Sequence, residues 1–199
     1  DISDDGVAIV TSYLVTDGTD VGSQVNFYNF SEVGQDNRML VGGKEYTDEL
    51  VSAIRFIGDD LVAIFRESGV DVYHNPAQPK LLYTKEYDDT VLSFAISDEY
   101  LGVVTAEKDT SKKTLRMYDL DGKDVFSRDI DYEYTEMEIH GNEIIFYSSH
   151  EVRIVRINGT EKFAGYFDAE VDGFFPGGNS IEYILVDYGT IKKIRLMDA

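Results

Sequence analysis

The stretch FIGDDLVAIF, residues 56–65, consists of a short apolar segment, a Gly/Asp turn and a second apolar segment. The same arrangement recurs as DISDDGVAIV (1–10), AISDEYLGVV (95–104), EIHGNEIIFY (138–147) and FFPGGNSIEYILV (174–186). The turn residues Asp5, Asp59, Asp98, Asn142 and Asn179 mark the copies, and they are separated by 54, 39, 44 and 37 residues. A period of this length indicates a repeat protein, because each copy is one supersecondary unit.

Each copy is followed by a third β-rich segment and in most cases a fourth, as in TLRMYDLDG and KDVFSRD. Apolar and polar residues alternate in these segments, which is typical of strands with one buried face. Asp121-Gly122 and Asn158-Gly159 predict tight hairpin turns. The sequence therefore predicts an all-β fold, a β-propeller of four-stranded antiparallel blades. A β-sandwich is the alternative.

The repeat divides residues 1–199 into about 4.5 blades by strand count. Residues 1–50 are a partial blade without most of its inner strand, and 51–90, 91–133 and 134–167 are full blades. Residues 168–199 are a last blade without its outer strand. Four to five blades close as a small propeller or form part of a larger one. We expect the C-terminal part of a seven- or eight-bladed propeller, whose exposed blade faces favour dimerisation. The polar insertion TDGTDVGSQ (16–24) is expected to lengthen a loop.

The composition restricts the partners. The chain has 18 basic and 38 acidic residues, a net charge of −20. Nucleic acid is excluded because such binding depends on cations that neutralise phosphates. No stretch reaches the roughly 20 apolar residues of a membrane span, so we expect no membrane contact by this segment itself. The absence of cysteine excludes disulfides, cysteine-ligated zinc and thiol nucleophiles. No motif calls for a cofactor.

The joins between repeats carry a second recurring pattern, an aromatic residue followed by acids. We call them the first to fourth joins, and they occupy residues 46–50, 87–91, 132–137 and 167–171. Such a ring of carboxylates on one face attracts a cation or a basic partner. The other interpretation is that the acids maintain solubility and protect strand edges while the aromatics pack between blades. The candidate ligand-binding residues are Tyr46, Asp48, Glu49, Tyr87, Asp88, Asp89, Tyr132, Glu133, Asp168 and Glu170.

Catalytic motifs are scarce. His74, His140 and His150 lack zinc-like spacing, and there is no G-x-S-x-G elbow for a serine nucleophile. We therefore expect no enzyme. The alternative is a propeller glycosidase or lyase with paired carboxylates, for which the inner strands offer Glu138 and Asp172.

Three segments carry a resemblance: V-x-V-Y at 70–73, L-x-M-Y-D-L-D-G at 115–122 and Y-G-T-I-K-K-I-R-L at 188–196, together with the Gly-Asp/Asn turns. The chain resembles an uncharacterised family of bacterial propeller proteins related to WD-repeat and quinoprotein-like folds. The resemblance implies an extracytoplasmic propeller behind a membrane-anchoring N-terminal helix that is absent from this chain. Tryptophan is absent, so quinoprotein cofactor chemistry is not expected.

The leading hypothesis is a non-catalytic binding or scaffolding module that engages a protein or a glycan outside the cytoplasm. The chain has 14 tyrosines, more than its core requires. Tyrosine suits protein interfaces and sugar stacking because its ring offers a large amphipathic area.

Overall fold

The computed structural model describes residues 1–31, 39–110 and 112–196. These residues form eighteen β-strands in five antiparallel sheets and no helix. Contacts divide the chain into two compact units, residues 1–91 and the residues from Leu92 onward. In every sheet, strands that are consecutive in sequence are neighbours.

The first unit contains two sheets. The first sheet has three strands, β1 (Ala8–Asp17), β2 (Asp20–Asn29) and β3 (Leu40–Tyr46). The second sheet has four strands, β4 (Val51–Ile57), β5 (Leu61–Arg66), β6 (Gly69–His74) and β7 (Lys80–Glu86).

The second unit contains three sheets, the first of which begins just before the boundary. The third sheet consists of β8 (Thr90–Ile96), β9 (Tyr100–Ala106), β10 (Lys113–Asp119) and β11 (Asp124–Ile130). The fourth consists of β12 (Glu136–His140), β13 (Glu143–Tyr147), β14 (Glu151–Arg156) and β15 (Glu161–Tyr166). The fifth consists of β16 (Gly173–Pro176), β17 (Glu182–Asp187) and β18 (Thr190–Arg195). The blade ranges 1–50, 51–90, 91–133, 134–167 and 168–199 stay predictions.

The recurring turns follow from residues that tolerate positive φ. Gly122 and Gly159 both have φ +82°, and each closes the hairpin predicted from the sequence. A non-glycine residue rarely adopts this backbone conformation because its Cβ meets the following carbonyl. The hairpins predicted at Asp121-Gly122 and Asn158-Gly159 are therefore confirmed.

The polar insertion at 16–24 is not a loop, and that prediction was wrong. Its residues extend the β1–β2 hairpin, in which Asp17 pairs with Asp20 across a two-residue turn. Gly18 takes the first turn position with φ +65°, as a type II′ hairpin turn requires. Residues 18–20 at the tip of the hairpin are exposed, in keeping with their polar character.

Hydrophobic clusters fill the space between successive sheets of each unit. In the first unit Val10, Val25 and Phe27 pack against residues of the second sheet, including Ile64. In the second unit one cluster lies between the third and fourth sheets and another between the fourth and fifth. The fourth sheet is therefore buried on both faces, which explains the apolar run EIIFY of β13. Each fully buried aliphatic or aromatic side chain contributes about 1.5–3 kcal/mol.

The side chains of β13 pack on both faces of the fourth sheet. Ile144 and Phe146 face the third sheet, whereas Ile145 and Tyr147 face the fifth. Successive side chains of a strand point to opposite faces, so four consecutive apolar residues serve two interfaces. β13 therefore contributes side chains to both hydrophobic clusters of the second unit.

Candidate interaction surface

In the first unit, a turn between β5 and β6 holds the join that follows β7. The amide of Tyr87 donates to the carbonyl of Ser68 at 2.7 Å, and the amide of Val91 donates to the carbonyl of Glu67 at 2.9 Å. The aromatic residue of the join therefore begins a backbone clamp that ends four residues later. In this join the clamp fixes the four-residue spacing between the aromatic residue and Val91 of the next strand.

The second unit repeats this clamp after β15. The amide of Phe167 donates to the carbonyl of His150 at 2.7 Å, and the amide of Val171 donates to the carbonyl of Ser149 at 2.8 Å. The join thus lies beside the turn between β13 and β14. Join residues and turn residues share one edge of the fourth sheet, where their side chains form a common surface.

In the first join, Tyr46 belongs to the core and Asp48 to the surface. Tyr46 is 5% exposed, and its hydroxyl donates to Asp71 Oδ2 at 2.7 Å. Burial, with the contact to Asp71, raises the pKa of Tyr46 far above its ordinary value. Asp48 is exposed with φ +55°. A ligand on this surface would meet the Asp48 carboxylate before the Tyr46 ring.

Glu49, the second acid of this join, is part of a buried charge network centred on Arg66. Arg66 is 5% exposed, and its Nη1 lies 2.6 Å from Glu49 Oε2. Its Nη2 lies 3.3 Å from Asp71 Oδ1 and 2.5 Å from Glu86 Oε1. Ser68 Oγ donates to Glu49 Oε1 at 2.5 Å. One guanidinium thus connects the first join with β6 and β7.

The pKa of Glu49 reflects this network. Burial would raise the pKa of Glu49, but the hydrogen bonds from Ser68 and Arg66 outweigh it, and the pKa falls below its ordinary value of 4.5. The ionised carboxylate is therefore the stable form in the folded protein. Its charge is used internally, which leaves Asp48 as the surface acid of the first join.

The second join presents Asp88 on the surface. Asp88 is exposed, whereas Tyr87 and Asp89 are half-buried. The amide bond from Tyr87 to Ser68 holds the backbone here, so the position of Asp88 is fixed by the clamp.

The third join contains a buried tyrosine and an exposed glutamate. Tyr132 is 6% exposed and packs edge-to-face on Phe146, with ring centroids 5.4 Å apart. Burial raises the pKa of Tyr132, and the opposing effect of the nearby arginines Arg128 and Arg153 is smaller. Glu133 is 92% exposed, and its Oε2 lies 2.6 Å from Lys113 Nζ. The Tyr132 ring is thus part of the core between the third and fourth sheets, and Glu133 is the surface residue.

The fourth join presents one acid, Asp168, on the surface. Asp168 is exposed and Glu170 is half-buried. The carboxylate of Asp172, two residues on, accepts a hydrogen bond from the amide of Tyr188 at 2.6 Å. This contact connects the join to the turn between β17 and β18, so that the fourth join lies between two turns.

Two tyrosines that the sequence analysis did not single out are exposed beside this join. Tyr166 is 74% exposed and Tyr188 is 79% exposed. The Tyr166 ring stacks on His150, with centroids 5.5 Å apart and an angle of 27° between the planes. We call the group Tyr166, His150, Asp168, Glu170 and Tyr188 the join surface.

Tyr188 adopts an unusual backbone conformation for a tyrosine. It has φ +43° and precedes Gly189, with φ +75°, in a two-residue hairpin turn. Turns of this kind favour Asn-Gly or Gly-Gly, because a bulky residue is strained at positive φ. A strained tyrosine that is also exposed gains little from packing, and such strain is concentrated at functional sites. The Tyr-Gly pair in the closing segment was the sequence signal for it.

The electrostatic potential at Tyr188 is negative. The pKa of Tyr188 lies above its ordinary value because its hydroxyl is hydrogen-bonded to Glu170, and the charges of Asp172 and Asp187 act in the same direction. Lys192 Nζ lies 2.7 Å from Asp187 Oδ2 and offsets that one carboxylate. The join surface therefore combines two exposed rings with a negative potential.

Glu138 and Asp172, the two carboxylates of the glycosidase alternative, form hydrogen bonds with different neighbours. Glu138 Oε2 lies 2.6 Å from His140 Nε2, and its Oε1 accepts a hydrogen bond from Tyr147 at 2.9 Å. Burial raises the pKa of Tyr147, and the bond to Glu138 adds to the shift. Asp172 is bonded to the amide of Tyr188. The pairing of Glu138 with Asp172 stays a prediction.

Among residues 1–31, 39–110 and 112–196, no group of three or more His, Asp and Glu side chains is arranged to hold a metal ion. No helix in the same ranges has the length and apolar character to cross a membrane.

Each unit contains two of the four joins, and the structure connects the two joins within each unit. The first and second joins are connected through Arg66 and the turn at Glu67 and Ser68. The third and fourth joins flank the fourth sheet. A ring of carboxylates across all four joins, and ligand contacts at the ten candidate residues, stay predictions.

Solved structures similar to this chain are β-propellers or share their architecture. Sqt1 from Saccharomyces cerevisiae superposes with a TM-score of 0.59 at 10% identity, over 96% of this chain and 60% of that chain. The WD40 domain of Pan2 from Neurospora crassa gives 0.51 at 8% identity, over 88% and 59%. BamB from Moraxella catarrhalis gives 0.50 at 10% identity, over 90% and 56%. The chain thus spans about 60% of the length of these structures, and the predicted all-β propeller fold is confirmed.

The sequence comparisons agree with this assignment. No curated protein matches the chain significantly. A family model described as "Family of unknown function (DUF5711)" matches residues 1–196. Because this match covers nearly the whole chain, the resemblance to an uncharacterised propeller family is confirmed: the protein belongs to the family of unknown function DUF5711.

Proposed function

We propose that this protein is a non-catalytic propeller module that binds a protein partner through the join surface, and that the partner presents a basic segment. The observation that carries the proposal is the pair Tyr166 and Tyr188, 74% and 79% exposed and flanked by carboxylates. Tyrosine is enriched at binding hot spots because a rigid ring offers much contact area at a low entropy cost.

The charge of the surface supports a basic partner. Lys and Arg side chains are attracted to tyrosine faces, by about 0.5–1 kcal/mol at exposed sites. Asp168 and Glu170 add complementary charge at the same place. The net charge of −20 would in addition accelerate the encounter with a basic partner.

The test uses defined probes in a fluorescence anisotropy titration. A labelled peptide of alternating Lys and Ser is compared with a peptide in which Glu replaces Lys. We expect only the Lys peptide to bind, with an affinity that falls as salt is added. Tyr166→Ser and Tyr188→Ser should each weaken binding by about two- to fivefold.

Matched controls separate the join surface from general attraction to an acidic protein. Tyr13 is 51% exposed in the first unit, so Tyr13→Ser controls for the loss of an exposed ring. Glu170→Gln, which removes one charge of the join surface, should also weaken binding of the Lys peptide. Glu99 is exposed on the turn before β9, so Glu99→Gln is its control. Equal weakening by the control and test variants would reject the proposal. Binding of neutral oligosaccharides with the same dependence on Tyr166 and Tyr188 would replace the basic partner with a glycan.

We also propose, from the family resemblance, that binding takes place outside the cytoplasm on a membrane-tethered protein. Protease treatment of intact cells that express the full-length protein tests this location. Cleavage of the propeller without cell lysis is the expected result, and full protection would contradict it.

A further inference from the structure

His150 is the imidazole of the join surface. It lies on the turn between β13 and β14 and is half-buried. Its carbonyl oxygen accepts a hydrogen bond from the amide of Phe167 at 2.7 Å, and its Nδ1 lies 3.3 Å from the carbonyl oxygen of Ala169. The ring is thus fixed at Ala169, the residue between the two acids of the fourth join, Asp168 and Glu170.

The imidazole covers part of the Tyr166 ring that the proposed partner would contact. The centroids of the two rings are 5.5 Å apart, and their planes make an angle of 27°. Tyr166 is nevertheless 74% exposed, so the rest of its ring is open to a partner. A cation bound to a tyrosine ring lies within about 6 Å of the ring centroid. A partner cation at Tyr166 would therefore be a close neighbour of His150.

The contact with Ala169 determines where His150 gains a proton. A carbonyl oxygen only accepts hydrogen bonds, so Nδ1 carries the hydrogen of the neutral ring and Nε2 keeps its lone pair. Among the residues that the structure describes, none is hydrogen-bonded to Nε2 of His150. The neutral ring can therefore accept a hydrogen bond from a Lys or Arg of the partner. The protonated ring cannot, and it carries a charge of the same sign as the partner.

The elements around His150 carry several other ionisable groups. These are Glu136 at the start of β12, Glu151 and Arg153 on β14, Tyr166, Asp168 and Glu170 at the join, Asp172 after it, and Asp187, Tyr188 and Lys192 at the turn between β17 and β18. Two of the acids are paired, Glu151 with Arg153 and Asp187 with Lys192. Of all these residue types, only histidine ordinarily changes its charge between pH 5.5 and pH 8.

We propose that His150 makes the join surface sensitive to pH, because the neutral imidazole admits a basic partner and the protonated imidazole weakens its binding. This inference rests on the function proposed above and concerns the regulation of the same site. Two like charges 4–10 Å apart in water repel each other enough to lower an affinity about two- to fivefold. Loss of the acceptor at Nε2 acts in the same direction. By linkage, the bound partner must in turn oppose the protonation of His150.

The experiment repeats the anisotropy titration of the labelled Lys peptide at pH 8 and at pH 5.5, at one ionic strength. We expect the unaltered protein to bind the peptide about two- to fivefold more weakly at pH 5.5. His150→Gln is neutral at both pH values and should bind with equal affinity at both. His74→Gln is the matched control, because His74 is a half-buried histidine of the first unit, and it should keep the full dependence on pH.

A second measurement uses the unaltered protein, so it does not depend on how the variants fold. The imidazole signals of His150 are followed by NMR against pH, with and without the Lys peptide. We expect the peptide to move the titration midpoint of His150 to lower pH, and an unchanged midpoint would overturn the proposal. Equal affinity of the unaltered protein at pH 8 and pH 5.5, or a decrease that persists in His150→Gln, would also overturn it. Absence of peptide binding at pH 8 would reject the join surface itself, and this inference with it.

Discussion

Replacement of Arg66 by methionine tests how the first unit is held together. The substitution keeps much of the side-chain volume and removes a cation that contacts three carboxylates. Removal of one partner of a buried ion pair costs about 3–5 kcal/mol of stability, because the charge of the other partner is left uncompensated. Asp71 keeps the hydroxyls of Tyr46 and Thr84, and Glu86 is 61% exposed. We therefore expect Arg66→Met to lower the free energy of unfolding by about 3 kcal/mol, the lower end of this range.

The assay is urea unfolding followed by circular dichroism. The free energies of unfolding are compared between variants for which the slope of this energy against urea concentration is the same. Arg153→Met is the matched control, since Arg153 is also an ion-paired strand arginine but is 29% exposed. Exposed pairs contribute about 0–1 kcal/mol, and the contact of Arg153 with the Tyr132 ring at 5.0 Å adds a similar amount. A loss below about 1 kcal/mol for Arg66→Met, or equal losses for both variants, would refute the reasoning.

Three further predictions concern pH, packing and strain. The pKa of Glu49 in the folded protein is below its ordinary value of 4.5. The stability that its carboxylate contributes is therefore present above pH 4.5 and is lost as the pH falls through the folded pKa. Glu49→Gln should flatten this part of the curve of unfolding free energy against pH. Gly69→Ala should cost about 1–3 kcal/mol in urea unfolding, because the added Cβ would lie 2.5 Å from the carbonyl oxygen of Lys85; an unchanged midpoint would contradict the close approach of β6 and β7 at this position. Tyr188→Asn should raise the free energy of unfolding by about 1 kcal/mol by relieving positive-φ strain while weakening the peptide binding, and lower stability would contradict the assigned strain.

The all-β fold could be predicted from the sequence because its determinants are local. The Gly and Asp turns fix hairpins through backbone conformation, as Gly122 and Gly159 do. Runs such as EIIFY indicate a strand buried on both faces. The insertion at 16–24 was assigned incorrectly because polarity reports exposure, and an exposed hairpin is as polar as a loop.

The candidate site was only partly predictable because it depends on contacts between distant residues. The join pattern directed attention to Asp168 and Glu170, but the sequence does not distinguish an acid used internally, such as Glu49, from an exposed one. Arg66 reaches partners at positions 49, 71 and 86, which no local pattern connects. Tyr188 required two structural facts, its exposure and its positive φ.

The most direct test of the join surface is chemical-shift mapping of the Lys-containing peptide on the ¹⁵N-labelled protein. The account predicts that the shifted amides cluster at the turn 148–150, at 166–170 and at the turn 187–189, with few changes at the turn 97–99 that carries the control acid. Shifts distributed over every acidic surface, or absent from these three segments, would contradict a specific binding site there.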